Sequence, residues 1–189
     1  MVTAIIKTSV MQKKQLVKGL VLVALGAAIT AIIKQRTIPR GVKAITGFDK
    51  NRYLGRWYEI ARFDFYFEKH LSRVSARYTA RDDGSIQVIN RGFDYRNYKW
   101  KQSIGKAKFI ADEQTGRLGV SFFGPFYAGY NIIAIDPAYQ YALVCGKNRN
   151  YLWLLSRQKT MPAAVKESYL RIARDLGFPV SRLTWTQQD

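Results

Sequence analysis

Stretches in which apolar and polar residues alternate fill most of the chain after residue 55, and short groups of turn residues separate them. A repeat of two residues is typical of β-strands that bury one face. The pattern predicts eight strands, at residues 56–63, 74–80, 86–91, 99–111, 117–123, 130–136, 141–145 and 151–157. Eight short strands in succession predict an all-β fold, an eight-stranded antiparallel up-and-down barrel whose closed sheet leaves no exposed edge.

Glycine and proline mark the predicted turns. Asp82-Asp83-Gly84 has the composition of a hairpin turn between the second and third strands. Gly105 is predicted to mark a bulge or bend in the fourth strand. Gly124-Pro125 interrupts the pattern after the fifth strand, and the aromatic segment 124–130 is expected to form a loop near the mouth of the barrel.

A repeat close to 3.6 residues predicts a C-terminal helix at residues 162–176. Thr160 is expected to cap this helix, Pro162 suits its first turn, and Gly177 follows its end. The apolar residues of the helix share one face, formed by Val165, Tyr169, Ile172, Ala173 and Leu176. That face is expected to pack on the outer wall of the barrel, and a membrane surface is the alternative partner.

The first 39 residues are predicted to be a signal or anchor segment and linker, separate from a domain at residues 40–189. Residues 19–33 carry no charge and follow Lys13, Lys14 and Lys18. Fifteen apolar residues fit both an uncleaved N-terminal helix and a cleaved signal peptide, which could start at Met1 or Met11. The preceding lysines favour a domain that faces the periplasm.

The formal net charge of +18 makes an anionic partner attractive. Six basic and no acidic residues fall in residues 1–39, which leaves 25 basic and 13 acidic residues in the remainder. Anionic lipid head groups and nucleic acid would both be drawn to such a surface. The basic residues are scattered along the strands in runs no longer than two, a pattern that argues against a nucleic-acid site.

Few residues are available for catalysis or metal binding. The sequence has one cysteine, Cys145, and one histidine, His70. One cysteine cannot form an internal disulfide, and the pair does not make a recognisable zinc site. Since no nucleophile–base pair or cofactor motif is evident, we expect no metal, no cofactor and no enzymatic activity; an enzyme would have to use Cys145 or His70.

Several stretches together carry a family resemblance: RYLGRWYEIARFD, RDDGSIQVINRG, VSFFGPFYAGYNIIAID, ALVCG and YLWLLSR. From about Arg40 to Gln188 the chain resembles the bacterial lipocalins of the Blc type, which are related to animal apolipoprotein D. The resemblance implies a protein that stores or moves fatty acids or lysophospholipids for maintenance of the bacterial cell envelope. It also implies that Trp57 plugs the closed end of the barrel and that Arg157 packs across the indole.

The N-terminal segment departs from that family pattern. The bacterial relatives usually carry a lipoprotein cysteine at the end of the signal segment, and the segment here has none. We therefore expect a protein in the cell envelope that is either held by residues 19–33 or released after cleavage, and that is not acylated on cysteine.

The residues predicted to contact a ligand are taken from alternate positions along the strands. The predicted wall residues are Tyr78, Val88, Asn90, Phe109, Phe122, Ile133 and Trp153, with Tyr127 and Tyr130 near the mouth. Each of them could equally be plain core packing, and a shift of one residue would invert the assignment. Glu59 shares its parity with Trp57, so a buried carboxylate with an arginine or tyrosine partner is expected.

A homodimer is the remaining interpretation. Tyr95, Tyr98 and Trp100 would supply an exposed aromatic surface for a second copy. The dimer could replace lipid binding or coexist with it.

Overall fold

The computed structural model describes residues 37–65 and 69–189, and the predicted N-terminal helix at 19–33 lies outside them. Within these ranges the strands are β1 Gly55–Phe63, β2 Leu71–Ala80, β3 Ile86–Asp94, β4 Lys99–Phe109, β5 Arg117–Phe123, β6 Phe126–Ile135, β7 Tyr141–Cys145, β8 Leu152–Ser156 and β9 Leu183–Trp185. The helices are α1 Lys50–Tyr53, α2 Ala163–Asp175 and a 3₁₀ turn at Val180–Arg182. Among the described residues, none of the helices has the length and apolar character needed to span a membrane.

Neighbouring strands pair antiparallel from β1 through β8, and β1 also pairs with β8. The sheet is therefore closed, which confirms the predicted up-and-down barrel. The connections β2–β3, β4–β5 and β6–β7 lie at one end, where α1 closes the bottom. The connections β1–β2, β3–β4, β5–β6 and β7–β8 lie at the other end, which we call the mouth.

The closed end is held by Trp57, which is fully buried. Its indole Nε1 donates to the carbonyl oxygen of Tyr53 at 2.8 Å, at the end of α1. Asp49 caps that short helix, since its Oδ1 accepts from the backbone N–H groups of Asn51 and Arg52. The aromatic core that begins here fills the lower half of the barrel.

Helix α2 packs on the outside of the barrel, as its apolar face predicts. Tyr169 and Ala173 are buried in a second core that includes Leu143 and Leu154 of the wall. The Tyr169 hydroxyl donates to the Tyr141 carbonyl oxygen at 2.9 Å. The predicted Thr160 cap is wrong: Pro162 stands at the N-cap without a side-chain hydrogen bond.

The seam between β1 and β2 is closed in two different ways. Near the bottom the two strands pair directly from Gly55 to Tyr58. Toward the mouth β9 pairs with Ala61–Phe63, and the Gln188 amide donates to the Glu59 carbonyl at 2.6 Å and to the Val74 carbonyl at 2.9 Å. The segment after α2 therefore completes the wall where the β1–β2 ladder stops.

Two local predictions differ from the structure. Gly105 pairs in regular register with Val88, so no bulge lies there. Glycine is needed there because the backbone of β5 comes close to it: an added Cβ would lie 2.6 Å from the Ser121 carbonyl oxygen. The predicted aromatic loop is a tight turn at Gly124-Pro125, and β6 begins at Phe126 because its first residues pair with β5.

Candidate ligand-binding cavity

A cavity of about 330 Å³ occupies the upper half of the barrel and opens at the mouth. Every one of the eight barrel strands except β4 and β7 contributes to its lining, together with the connections beside the mouth. Most of the lining side chains are aromatic or aliphatic: Phe65, Val74, Ala76, Tyr78, Val88, Val120, Phe122, Ala128, Tyr130, Tyr151, Trp153 and Leu155. Such a volume and lining suit a small apolar ligand.

Six of the nine nominated residues line this cavity, namely Tyr78, Val88, Asn90, Phe122, Tyr130 and Trp153. They come from β2, β3, β5, β6 and β8, so alternation selects the same inner face on five strands. Their contact with a ligand stays a prediction, since the geometry gives only where they lie.

The other three nominated residues lie elsewhere. Phe109 packs beneath the cavity, with its ring centroid 6.0 Å from that of Phe48. Ile133 belongs to the outer core under α2, because Tyr130 and Ile132 face inward and Ile133 has the opposite parity. Tyr127 points outward and is 42% exposed.

The floor of the cavity carries a chain of three tyrosine hydroxyls. Tyr130 is central, with its hydroxyl 2.6 Å from that of Tyr53 and 2.8 Å from that of Tyr78. Burial raises the pKa of Tyr53 and of Tyr130 well above the ordinary value. The floor is therefore polar but uncharged, and its hydroxyls bond to one another.

Glu59 borders the cavity and has the arginine partner that its burial requires. Arg62 Nη1 donates to Glu59 Oε1 at 2.7 Å, and both side chains are almost fully buried. Thr186 Oγ1 donates to the same carboxylate oxygen at 2.6 Å, and Arg62 also pairs with Asp64 at 3.0 Å. Arg62 therefore offsets the charge of the Glu59 carboxylate in the cavity wall.

Cations lie closer to the mouth. Lys147 borders the main cavity, and Lys101 borders an adjoining cavity of about 200 Å³ that shares Phe65 and Asn90 with it. Lys101 Nζ lies 2.7 Å from Asp94 Oδ2. That lysine, with the Asn97 side chain, holds the pKa of Asp94 well below its ordinary value. The entrance thus combines apolar walls with ammonium groups.

Several lining residues escape the sequence analysis. Phe65 and Lys147 lie in connections, where no alternation indicates a direction. Ala76, Ala128 and Tyr151 share parity with nominated neighbours and could have been found by extending each strand pattern by two residues.

The two residues considered for catalysis do not form a reactive pair. Cys145 is buried in β7, and burial raises the pKa of its thiol to about 12. His70 contacts the Tyr95 hydroxyl at 3.3 Å and Arg96 Nη1 at 3.2 Å near the mouth. Within residues 37–65 and 69–189, the histidine, cysteine and carboxylate side chains form no group of three that could hold a metal ion.

Comparison with known proteins shows which family the chain matches. A family model described as a lipocalin-like domain matches residues 48–188. The outer membrane lipoprotein Blc of Escherichia coli K12 is 50% identical over 169 residues, which cover 89% of this chain and 96% of that protein. The protein of the same name from Vibrio cholerae is 44% identical over 80% of this chain and 89% of its own length.

A solved structure of similar shape is that of the major allergen Per a 4 from cockroaches. It superposes with a TM-score of 0.64, covers 80% of this chain and 96% of its own, and is 19% identical in sequence. At that identity the likeness concerns the fold alone.

Proposed function

Because the chain belongs to the lipocalin family, whose members bind small hydrophobic ligands, we propose that its barrel binds one single-chain lipid, either a fatty acid or a lysophospholipid. The acyl chain occupies the cavity of about 330 Å³, and the head group remains at the mouth. The observation that carries the proposal is an apolar cavity closed below by Trp57 and open above beside Lys147.

The energetics of such a complex are favourable. Burying about ten methylene groups at about 0.8 kcal/mol each contributes roughly 8 kcal/mol before ordering costs. That range corresponds to about micromolar affinity. The ammonium groups of Lys147 and Lys101 would attract the phosphate or carboxylate of the head group, while the neutral tyrosine floor contacts the end of the chain.

The cellular role that fits this binding is lipid storage or transport for maintenance of the bacterial cell envelope. Similarity to proteins named outer membrane lipoproteins supports that location. Residues 1–39 would supply an uncleaved anchor or a cleaved signal. The absence of acylation stays a prediction; the one cysteine of the sequence is Cys145, which is buried in β7.

A binding protein is favoured over an enzyme. A thiol whose pKa is raised to about 12 is a poor nucleophile, and His70 lies with Tyr95 and Arg96. A bound lipid should therefore leave the protein chemically unchanged.

Native mass spectrometry of the full chain tests the proposal, first as purified from cells and then with a lysophospholipid and a fatty acid added in competition. We expect one lipid per barrel, released intact. Failure of both lipids to form an adduct would overturn the proposal. The same spectra measure the homodimer that Tyr95, Tyr98 and Trp100 would support, since these residues are 50%, 81% and 48% exposed.

A further inference from the structure

The two ends of the barrel differ in their exposed aromatic residues. The β5–β6 turn at the mouth presents Phe123 and Phe126 on either side of Gly124-Pro125, and these side chains are 77% and 80% exposed. In the neighbouring β3–β4 connection, Tyr98 is 81% exposed. By contrast, the three connections at the closed end, all of which the structure describes, contain no exposed large hydrophobic side chain.

The mouth also carries an excess of positive charge. Its connections contain, by sequence, four basic and two acidic residues: Lys69, Arg96, Lys147, Arg149, Asp64 and Glu68. At the closed end the carboxylates lie among cations, since Glu113 pairs with Lys50 of α1 and Asp83 pairs with Lys106. The mouth connections therefore present a net positive charge near the exposed aromatic residues.

Exposed aromatic side chains beside cationic groups are typical of surfaces that enter the interface of an anionic bilayer. We propose that the mouth docks on an anionic lipid surface, with Phe123 and Phe126 inserted among the head groups and Lys147 beside the phosphates. The closed end then points away from the membrane. The positive charge of the mouth connections attracts the mouth to the bilayer before the phenylalanines make contact.

A second copy of the chain fits this surface less well. A symmetric mouth-to-mouth pair would bring together two surfaces whose connections carry a net positive charge, and like charges would repel. An anionic bilayer complements both the charge and the two phenylalanines. Docking shares Lys147 with lipid binding but does not depend on the cargo, because Phe123 and Phe126 lie outside the lining of the cavity of about 330 Å³.

Fluorescent labels at the two ends test the orientation. Gly124→Cys places a thiol at the turn where an added Cβ meets no atom within 4 Å, and Asp82→Cys places one at the exposed closed-end turn. Cys145 is buried, so an environment-sensitive label should attach at the introduced cysteine. Both proteins are full chains with the same residues 1–39, so any contribution of that segment to vesicle binding is shared.

On vesicles that contain phosphatidylglycerol, the label at residue 124 should shift to the blue and be quenched by lipids with a shallow nitroxide. The label at residue 82 should remain as in water. Equal quenching at both positions, or quenching at 82 alone, would overturn the proposal. A blue shift at 124 that depends on protein concentration without vesicles would also overturn it, in favour of contact between copies.

Two paired substitutions test the chemistry. Phe123→Ser with Phe126→Ser should reduce quenching at residue 124 about tenfold, whereas Ile104→Ser on the exposed β4 wall should leave it unchanged. Lys147→Glu should weaken the response to anionic vesicles, and Lys159→Glu, which follows β8 at the closed end, should not. Loss of quenching with all four changes alike would mean that docking has no specific surface, and the proposal would fail.

Discussion

The guanidinium group of Arg157 lies over the indole of Trp57, with Cζ 3.9 Å from the ring centroid. The same group donates to backbone carbonyl oxygens of Arg56 at 2.8 Å and of Arg52 at 2.6 Å. It therefore joins the start of β1 to the end of α1 across the bottom of the barrel. Burial, the leading cause, lowers the pKa of Arg157, but the carbonyl contacts and the indole face stabilise its charge.

Replacing Arg157 should loosen the closed end. Arg157→Lys keeps the charge but loses the planar group that stacks and donates at several points at once. We expect the free energy of unfolding to fall by about 2–3 kcal/mol, measured by urea denaturation. Arg77→Lys, on the exposed outer face of β2, is the matched control and should change it by less than about 0.5 kcal/mol.

Replacing one partner of the Glu59–Arg62 ion pair should lower the free energy of unfolding more than replacing both. Glu59→Leu leaves the buried guanidinium with Asp64 and should lower the free energy of unfolding by about 3 kcal/mol. The double variant Glu59→Leu, Arg62→Leu should recover part of that loss, because no lone charge remains buried. Additive losses in the single and double variants would show that the two side chains do not stabilise each other and would contradict this prediction.

Neighbouring residues on opposite faces of β2 test the cavity. Ala76→Phe adds bulk to the inner wall and should weaken lipid binding about tenfold, since the ring takes up space meant for the acyl chain. Arg77→Phe adds the same ring to the outer face and should leave affinity intact. Affinities are measured by titration with a fluorescent fatty acid, and equal losses would place the ligand outside the barrel.

The Cys145 thiol should make the protein less stable in alkali. Its pKa is raised to about 12 in the folded state by burial, so the folded protein holds this proton more tightly than the unfolded chain. Its contribution to stability is complete below the ordinary thiol pKa of about 8.5 and is lost as the pH rises from there toward 12. Cys145→Ala should flatten the fall in unfolding free energy between those values, and an unchanged slope would contradict the prediction.

Alternation predicted the inner wall where a single parity was followed along each strand. Tyr78 and Val88 face each other across a regular β2–β3 register, and both line the cavity. Ile133 was nominated with the opposite parity from Tyr130, and it lies in the outer core while Ile132 faces inward. Strict alternation from Tyr130 would have selected Ile132. The register shift that follows in β6 has no local signature, because a bulge depends on the partner strand.

The sequence did not predict how the β1–β2 seam closes beside the mouth, and the reason is different. β9 has three residues, too few to show a period, and Gln188 bonds to residues more than 110 positions earlier. The exposed phenylalanines lay within reach of prediction, since Gly124-Pro125 placed their segment near the mouth. Their high exposure came only from the structure, in which they pair across the turn and Phe123 borders only the adjoining cavity of about 200 Å³.

The hydrogen bonds that Gln188 makes across the β1–β2 seam determine when the barrel can close during synthesis of the chain. β1 is synthesised before the other strands, yet its upper half pairs with β8 and β9 near the end of the chain. The Glu59 carbonyl oxygen accepts its hydrogen bond from Gln188, which is synthesised later still. During synthesis, the barrel must therefore persist as an open sheet with an unsatisfied edge until residues 152–188 arrive. That interval is when the nascent chain most needs a chaperone, because its future interior and the unpaired upper half of β1 are exposed together.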